Sequence, residues 1–228
     1  MTLSDEEQRP SLPGASSAGL ERPNARELAR LEALLNRREV ATRLDIVRHF
    51  AATSQGARAL RRRLSEERNP VVLSEICDAL ADLRARDSVP ELERLAQTHP
   101  LQQVRGSALS ALAALRGWES VPYLRRRLQS ERSPAVRAVL CGLLFVTGSD
   151  EGLPLIRQAL ASRDGNVKRL VANTLLRHSP RRRRSLVIQA LEEGLAEETR
   201  EEVVADLERA ISELAQGRPR PAADPGPC

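Results

Sequence analysis

Aromatic side chains are almost missing from this chain: Phe50, Trp118, Tyr123 and Phe145 are the entire set in 228 residues. Leu, Ala and Val must therefore fill any core, which suits helices packed closely through small and branched side chains. Long apolar runs are missing too. No stretch reaches the about 20 apolar residues that a membrane-spanning helix needs. Residues 1–24 carry Asp5, Glu6 and Glu7 and no apolar segment of the signal-peptide kind. No P-loop, Gly-x-Ser-x-Gly or Rossmann glycine pattern occurs. The three histidines, His49, His99 and His178, are dispersed along the chain, and none is followed by Glu. A shared metal site is not expected from them. These absences point away from catalysis, cofactor and metal, and the cytosol is the expected compartment.

Cysteine is scarce as well. Cys77 and Cys141 occupy equivalent places two repeats apart in the register below, at roughly 10 Å per packed layer. They are expected to be too far apart for a disulfide and to act as small buried hydrophobes. Cys228 has no residues after it in this sequence, and a prenylation box is not expected there.

What the chain does have is a repeat. Segments starting at Val72, Val104, Val136 and Val167 are spaced 32, 32 and 31 residues apart. Apolar side chains recur four and eight residues after each anchor: Ile76 and Leu80, Ala108 and Leu112, Leu140 and Leu144, Val171 and Leu175. That spacing makes one stripe of an α-helix. A second helix follows, opened by Val89-Pro90, Val121-Pro122 and Leu153-Pro154, since Pro in the first turn loses no hydrogen bond. Its apolar stripe is Leu92 and Ala96, Leu124 and Leu128, Ile156 and Leu160, Val187 and Leu191; the same offsets from Val40 give Leu60 and Leu64. Five helix pairs are expected over about 40–198, the first less regular, with a helix before them near 25–36 and an acidic closing helix near 199–214. The sequence predicts an all-α solenoid over 25–214, between disordered Ser/Pro/Gly-rich ends at 1–24 and 215–228.

The Val-Arg start of one helix and the Val-Pro start of the next, as in Val104-Arg105 with Val121-Pro122 and again in Val136-Arg137, resemble HEAT-like repeats of the phycobilisome-lyase type. The resemblance covers roughly 40–198 and implies a right-handed α-solenoid, with Val-Arg helices on the concave face and Val-Pro helices on the convex one. That family includes scaffolds, chromophore lyases, a DNA glycosylase branch and a metal-dependent hydroxylase branch. The hydroxylase branch would need His-Glu pairs, which are lacking here. The glycosylase branch would need aromatic walls for an extruded base, and the only Trp, Trp118, falls between helices.

Charge is uneven. Residues 25–191 hold 30 basic and 17 acidic residues, whereas 192–228 hold 4 and 10. Such a basic body with an acidic end suits an anionic partner or self-pairing. Two surfaces emerge from the register. On the second helices an outward ladder, Arg62, Arg94 and Arg126, together with Arg181, Arg182, Arg183 and Arg184, forms a candidate anion-binding ridge; the alternative is a plain solvated face. On the first helices, offsets two, six and nine are expected to face away from the core, and the partner is expected to bind a concave strip around Val139, Gly142, Phe145, Val146, Leu170, Asn173 and Leu176. Asp78 and Asp82 rim it on one side, Arg169 and Arg177 on the other. An apolar strip with a charged rim fits a protein partner, unless tight superhelical curvature or the terminal segments cover it. Arg105, Arg137 and Lys168 are expected to pair with acidic residues of an adjacent turn. The chain reads as a non-catalytic protein-binding scaffold, with a nucleic-acid-binding solenoid as the alternative.

Overall fold

Helix formation here follows the expected punctuation closely. The computed structural model describes residues 25–217 except residue 54, so the expected end segments lie outside it apart from 215–217. Twelve α-helices occur among the described residues: α1 (Ala25–Leu34), α2 (Val40–Ala51), α3 (Gly56–Glu66), α4 (Pro70–Asp82), α5 (Val89–Thr98), α6 (Gln102–Arg116), α7 (Val121–Ser130), α8 (Pro134–Thr147), α9 (Gly152–Leu160), α10 (Gly165–His178), α11 (Arg184–Ala196) and α12 (Glu201–Gln216). The side chains of Asn69, Ser133 and Asp164 accept backbone N–H bonds at the starts of α4, α8 and α10. Each satisfies donors that a helix start otherwise leaves open. Pro70, Pro90, Pro122 and Pro134 lie in first turns, where the missing N–H is not needed. Gly148, at φ 108°, ends α8 in the left-handed conformation that favours glycine.

These helices stack as an α-solenoid. α2, α4, α6, α8, α10 and α12 pack side by side as an inner row, and α3, α5, α7, α9 and α11 each pack behind an inner partner. Most outer helices lie against the inner helix that follows them, α3 on α4, α5 on α6, α7 on α8 and α11 on α12, whereas α9 lies mainly on α8; α1 packs on α2 at the N-terminal end. Val72, Val104, Val136 and Val167 are buried, as are all eight stripe residues that follow them. On the outer row Leu60, Leu64, Leu92, Ala96, Leu124, Ile156, Leu160, Val187 and Leu191 are buried too, while Leu128 is half-buried. The first pair is less regular. Val40 is half-buried, and the buried stripe of α2 runs through Ile46, Val47 and Phe50.

Alternate layers are tied by a buried carboxylate. Glu67, Glu131 and Glu198 lie in the turns leading into α4, α8 and α12, each with a side chain at most 5% exposed. Glu131 Oε1 accepts the backbone N–H groups of Arg132 and Ser133, at 3.1 and 3.0 Å, and Nη2 of Arg105 at 2.9 Å. Its Oε2 takes Arg105 Nε at 3.2 Å and Arg127 Nη2 at 2.9 Å. Glu67 repeats the arrangement with Arg43, Arg63 and the N–H groups of Arg68 and Asn69. Glu198 does so with Lys168, Arg200 and the N–H groups of Thr199 and Arg200. Each of Arg43, Arg105 and Lys168 comes from the preceding inner helix, so the knot fastens one layer to the next. Burial pushes the Glu67 and Glu131 carboxyls up, but the hydrogen bonds outweigh it and both end below the ordinary carboxylate value. The Arg200 guanidinium, its backbone N–H and the Lys168 ammonium hold Glu198 far below that value.

Candidate functional site

An inner helix of this array is enclosed on three sides, by its own outer helix and by an inner neighbour on each flank. Only one sector stays open. At about 100° per residue, that sector takes the residues one before and three, six and ten after the anchor. On α4 these are Val71, Glu75, Asp78 and Asp82; on α6, Gln103, Ser107, Ser110 and Ala114. On α8 they are Ala135, Val139, Gly142 and Val146, and on α10 Asn166, Leu170, Asn173 and Arg177. Among these sixteen only Gly142 is buried. The floor contributed by α6 and α8 carries no charge, α4 forms an acidic wall, and α10 forms a mixed polar wall ending in Arg177.

Two residues expected on the concave strip are not surface groups. Phe145 is 2% exposed and belongs to the core, its backbone pressed by Gly152, where an added Cβ would come within 2.3 Å of the Phe145 Cα. Its ring lies under the Arg183 guanidinium at 4.9 Å. Gly142 is closed off by Thr174 of α10, whose Cγ2 would be 2.7 Å from an added Cβ. Lateral packing of α8 on α10 buries this side, and the expectation failed by counting only the partner helix behind. Val139, Val146, Leu170, Asn173 and Leu176 are half-buried. Leu176 shares its direction on the helix with the buried Phe145 of α8, so it lies outside the open sector.

The groove is tightly curved. Arg177 Nη1 of α10 reaches Asp78 Oδ2 of α4 at 3.3 Å, although 99 residues and two inner helices separate them. The two expected charged rims therefore meet over the uncharged floor. Towards the helix N-termini the groove widens into a cavity of about 530 Å³, lined by Gln102, Pro134, Ala135, Asn166, Leu170 and Asn173 among others. Arg169 at its edge is held by Asp206 of α12 at 2.5 Å.

The outward ridge is divided by pairing. Arg62 binds Glu32, and its neighbours Arg61 and Arg125 bind Glu91 and Glu151 of the next layer. Arg183 turns inward to the Phe145 carbonyl at 2.8 Å, and Arg184 is half-buried. Arg94, Arg126, Arg181 and Arg182 remain exposed. So the ladder is not one continuous cationic surface: interlayer carboxylates neutralise Arg62, and a carbonyl and a ring engage Arg183. Arg105 and Lys168 pair as expected, whereas Arg137 donates to the Leu128 and Glu131 carbonyls. Cys77 and Cys141 are free and buried, and burial pushes both thiols up, Cys77 far up beside Asp78. Trp118 is 74% exposed in a turn between α6 and α7. No group of three metal-ligating side chains occurs among the described residues, and no helix among them is long and apolar enough to cross a membrane.

One family model covers part of this architecture. Residues 57–144, from α3 into α8, match the family model of HEAT repeats. No curated protein matches the chain in sequence. Among solved structures it is similar to the complex of CpcE and CpcF of phycocyanin lyase from Nostoc sp. PCC7120. There the identity is 16% and the TM-score 0.43, with 90% of this chain and 100% of that one covered. It is also similar to an engineered protein at 18% identity and a TM-score of 0.41, covering 84% of this chain and 99% of that one. Likenesses this loose bring no chemistry with them. Residues 57–144 match HEAT repeats, and the chain is an all-helical solenoid whose helices continue to stack on both sides of that segment.

Proposed function

We propose that the chain is a non-catalytic scaffold that binds another protein along its concave groove. The observation that carries this reading is the uncharged floor of α6 and α8, open at Ser107, Ser110, Ala114, Val139 and Val146 between an acidic wall and a mixed polar wall that ends in Arg177. Small and apolar side chains at the centre with charges at the rim suit a polypeptide, which offers apolar contacts and hydrogen bonds together. The amides of Gln102, Asn166 and Asn173 at the wider end suit a peptide backbone, since each amide both donates and accepts. HEAT repeats fit such a role, because stacked layers give a pre-formed curved surface.

Affinity purification from the native host, followed by mass spectrometry, tests the reading. The parent chain is expected to capture a partner that Val139→Asp with Val146→Asp loses, both positions being half-buried and facing the groove. An unchanged partner set with helical content preserved removes the groove as the binding surface. A spectrally visible chromophore, or base release from DNA by the purified chain, would instead make it an enzyme.

A further inference from the structure

Most arginines of this array already have partners. Arg43, Arg63, Arg105, Arg127 and Arg200 serve the carboxylate knots, and Arg48, Arg61, Arg125 and Arg157 pair between layers. Among the exposed arginines whose guanidinium groups have no partner within the described residues, five gather on one rim: Arg37, Arg38, Arg68, Arg132 and Arg163. All five lie in turns that lead into inner helices. Arg38, Arg68, Arg132 and Arg163 each stand directly before the cap residue of α2, α4, α8 or α10. The turns share one rim. Arg43 near the start of α2 reaches the turn before α4, and Gln102 at the start of α6 bonds Ser133 at the start of α8 at 2.7 Å. Likewise Lys168 near the start of α10 reaches the turn before α12.

That placement runs against local stability. A helix start carries positive partial charge, which disfavours a cation beside it. Four layers accept this. Two apolar side chains are exposed on the same rim, Val71 in the first turn of α4 at 48% and Leu101 at the cap of α6 at 47%. Binding single-stranded nucleic acid calls for aromatic platforms, and this rim offers none among the described residues. Phe50, Tyr123 and Phe145 are buried, and Trp118 sits beyond the far end of α6. Free cations interleaved with exposed aliphatic groups match a polypeptide better than a phosphate backbone.

We propose that this rim docks an acidic polypeptide segment with apolar side chains between its carboxylates, laid across successive layers. None of its five arginines belongs to the open sector of the groove, which the rim meets at Val71. Layers are roughly 10 Å apart and an extended chain advances about 3.3 Å per residue, so carboxylates at every third residue keep step with the layers, the α6 layer presenting Leu101 where the others present an arginine.

Fluorescence anisotropy on the full chain at about 0.15 M salt tests this with labelled twelve-residue probes spanning about 40 Å. One repeats Glu-Glu-Leu, a second repeats Ser-Ser-Leu, and single-stranded DNA of equal length is the third. The Glu-Glu-Leu probe is expected to bind most tightly. Arg68→Ser with Arg132→Ser weakens it at least about fivefold, whereas Arg94→Ser with Arg126→Ser on the outer face leaves it within about twofold. All four side chains are exposed, so folding is retained and circular dichroism verifies it. Equal losses from both pairs, no loss from the rim pair, equal binding of the serine probe, or tighter binding of DNA each overturns the proposal.

Discussion

Replacing one carboxylate oxygen tests whether the buried knots hold the layers together. In Glu131→Gln the remaining carbonyl oxygen still serves the N–H groups of Arg132 and Ser133 and Nη2 of Arg105. The new NH₂ replaces Oε2, which now receives Arg105 Nε and Arg127 Nη2. Donor then faces donor, and two largely buried guanidinium groups lose their counter-charge. Removing one member of such a pair costs about 3–5 kcal/mol. For a chain of this size 1 kcal/mol moves Tm by about 2–4 °C, so thermal unfolding at pH 7 should come roughly 6–20 °C lower. Repeat arrays open locally, so hydrogen exchange is the sharper assay: amides of α7 and α8 should lose protection while those of α3 and α4 keep it. Arg105→Met removes one cation but leaves Arg127 and both backbone donors in place, and should cost less. Glu131→Gln melting within about 2 °C of the parent, with α7–α8 exchange unchanged, would falsify the structural role of the knot.

Acid should act through the same groups. Glu67, Glu131 and Glu198 titrate below their ordinary value of 4.5 when folded, so their stabilisation is complete above that pH and is lost as pH falls through the folded values. Tm should therefore drop steeply below about pH 4.5, with a shallower drop in Glu131→Gln; parallel slopes would refute the linkage. Gly152→Ala should destabilise by about 1–3 kcal/mol, because the new methyl meets the Phe145 backbone and no flexible side chain can yield. An unchanged denaturant midpoint would show that α9 slides without cost.

The helix pairs were legible because each anchor, proline and cap acts within one turn of chain. Val104 with Ala108 and Leu112, or Pro122 opening α7, needs no knowledge of neighbouring layers. The open face was not legible in that way. Placing it opposite the apolar stripe assumes one packing partner, whereas α8 has α6 and α10 on its flanks, which takes Phe145 and Gly142 out of the surface. A sequence signal for the knots was present: Glu-Arg-Asn-Pro at 67–70 recurs as Glu-Arg-Ser-Pro at 131–134, 64 residues on. A search at a 32-residue period passes over it, because the intervening segment at 99–102 reads His-Pro-Leu-Gln. The same tetrapeptides hold Arg68 and Arg132, so a doubled period would also have pointed to the basic rim. The outward ridge was legible as charge but not as pairing, since Glu32 and Glu91, the partners of Arg62 and Arg61, lie 30 residues away.

A stack of repeats ordinarily behaves as a spring, each layer constrained only by its neighbours. The bond between Asp78 and Arg177 makes this one an arch with a tie across its span, since it joins α4 to α10 over the two helices between them. Such a tie converts small rotations at each layer into one shared variable, the width of the opening. Its strength also answers to the solvent: the Arg177 side chain is 47% exposed, and in about 1 M salt the screening length shrinks to about 3 Å. Raising ionic strength should therefore slacken the tie, and a guest that supplies its own carboxylate to Arg177 would compete with Asp78 for it.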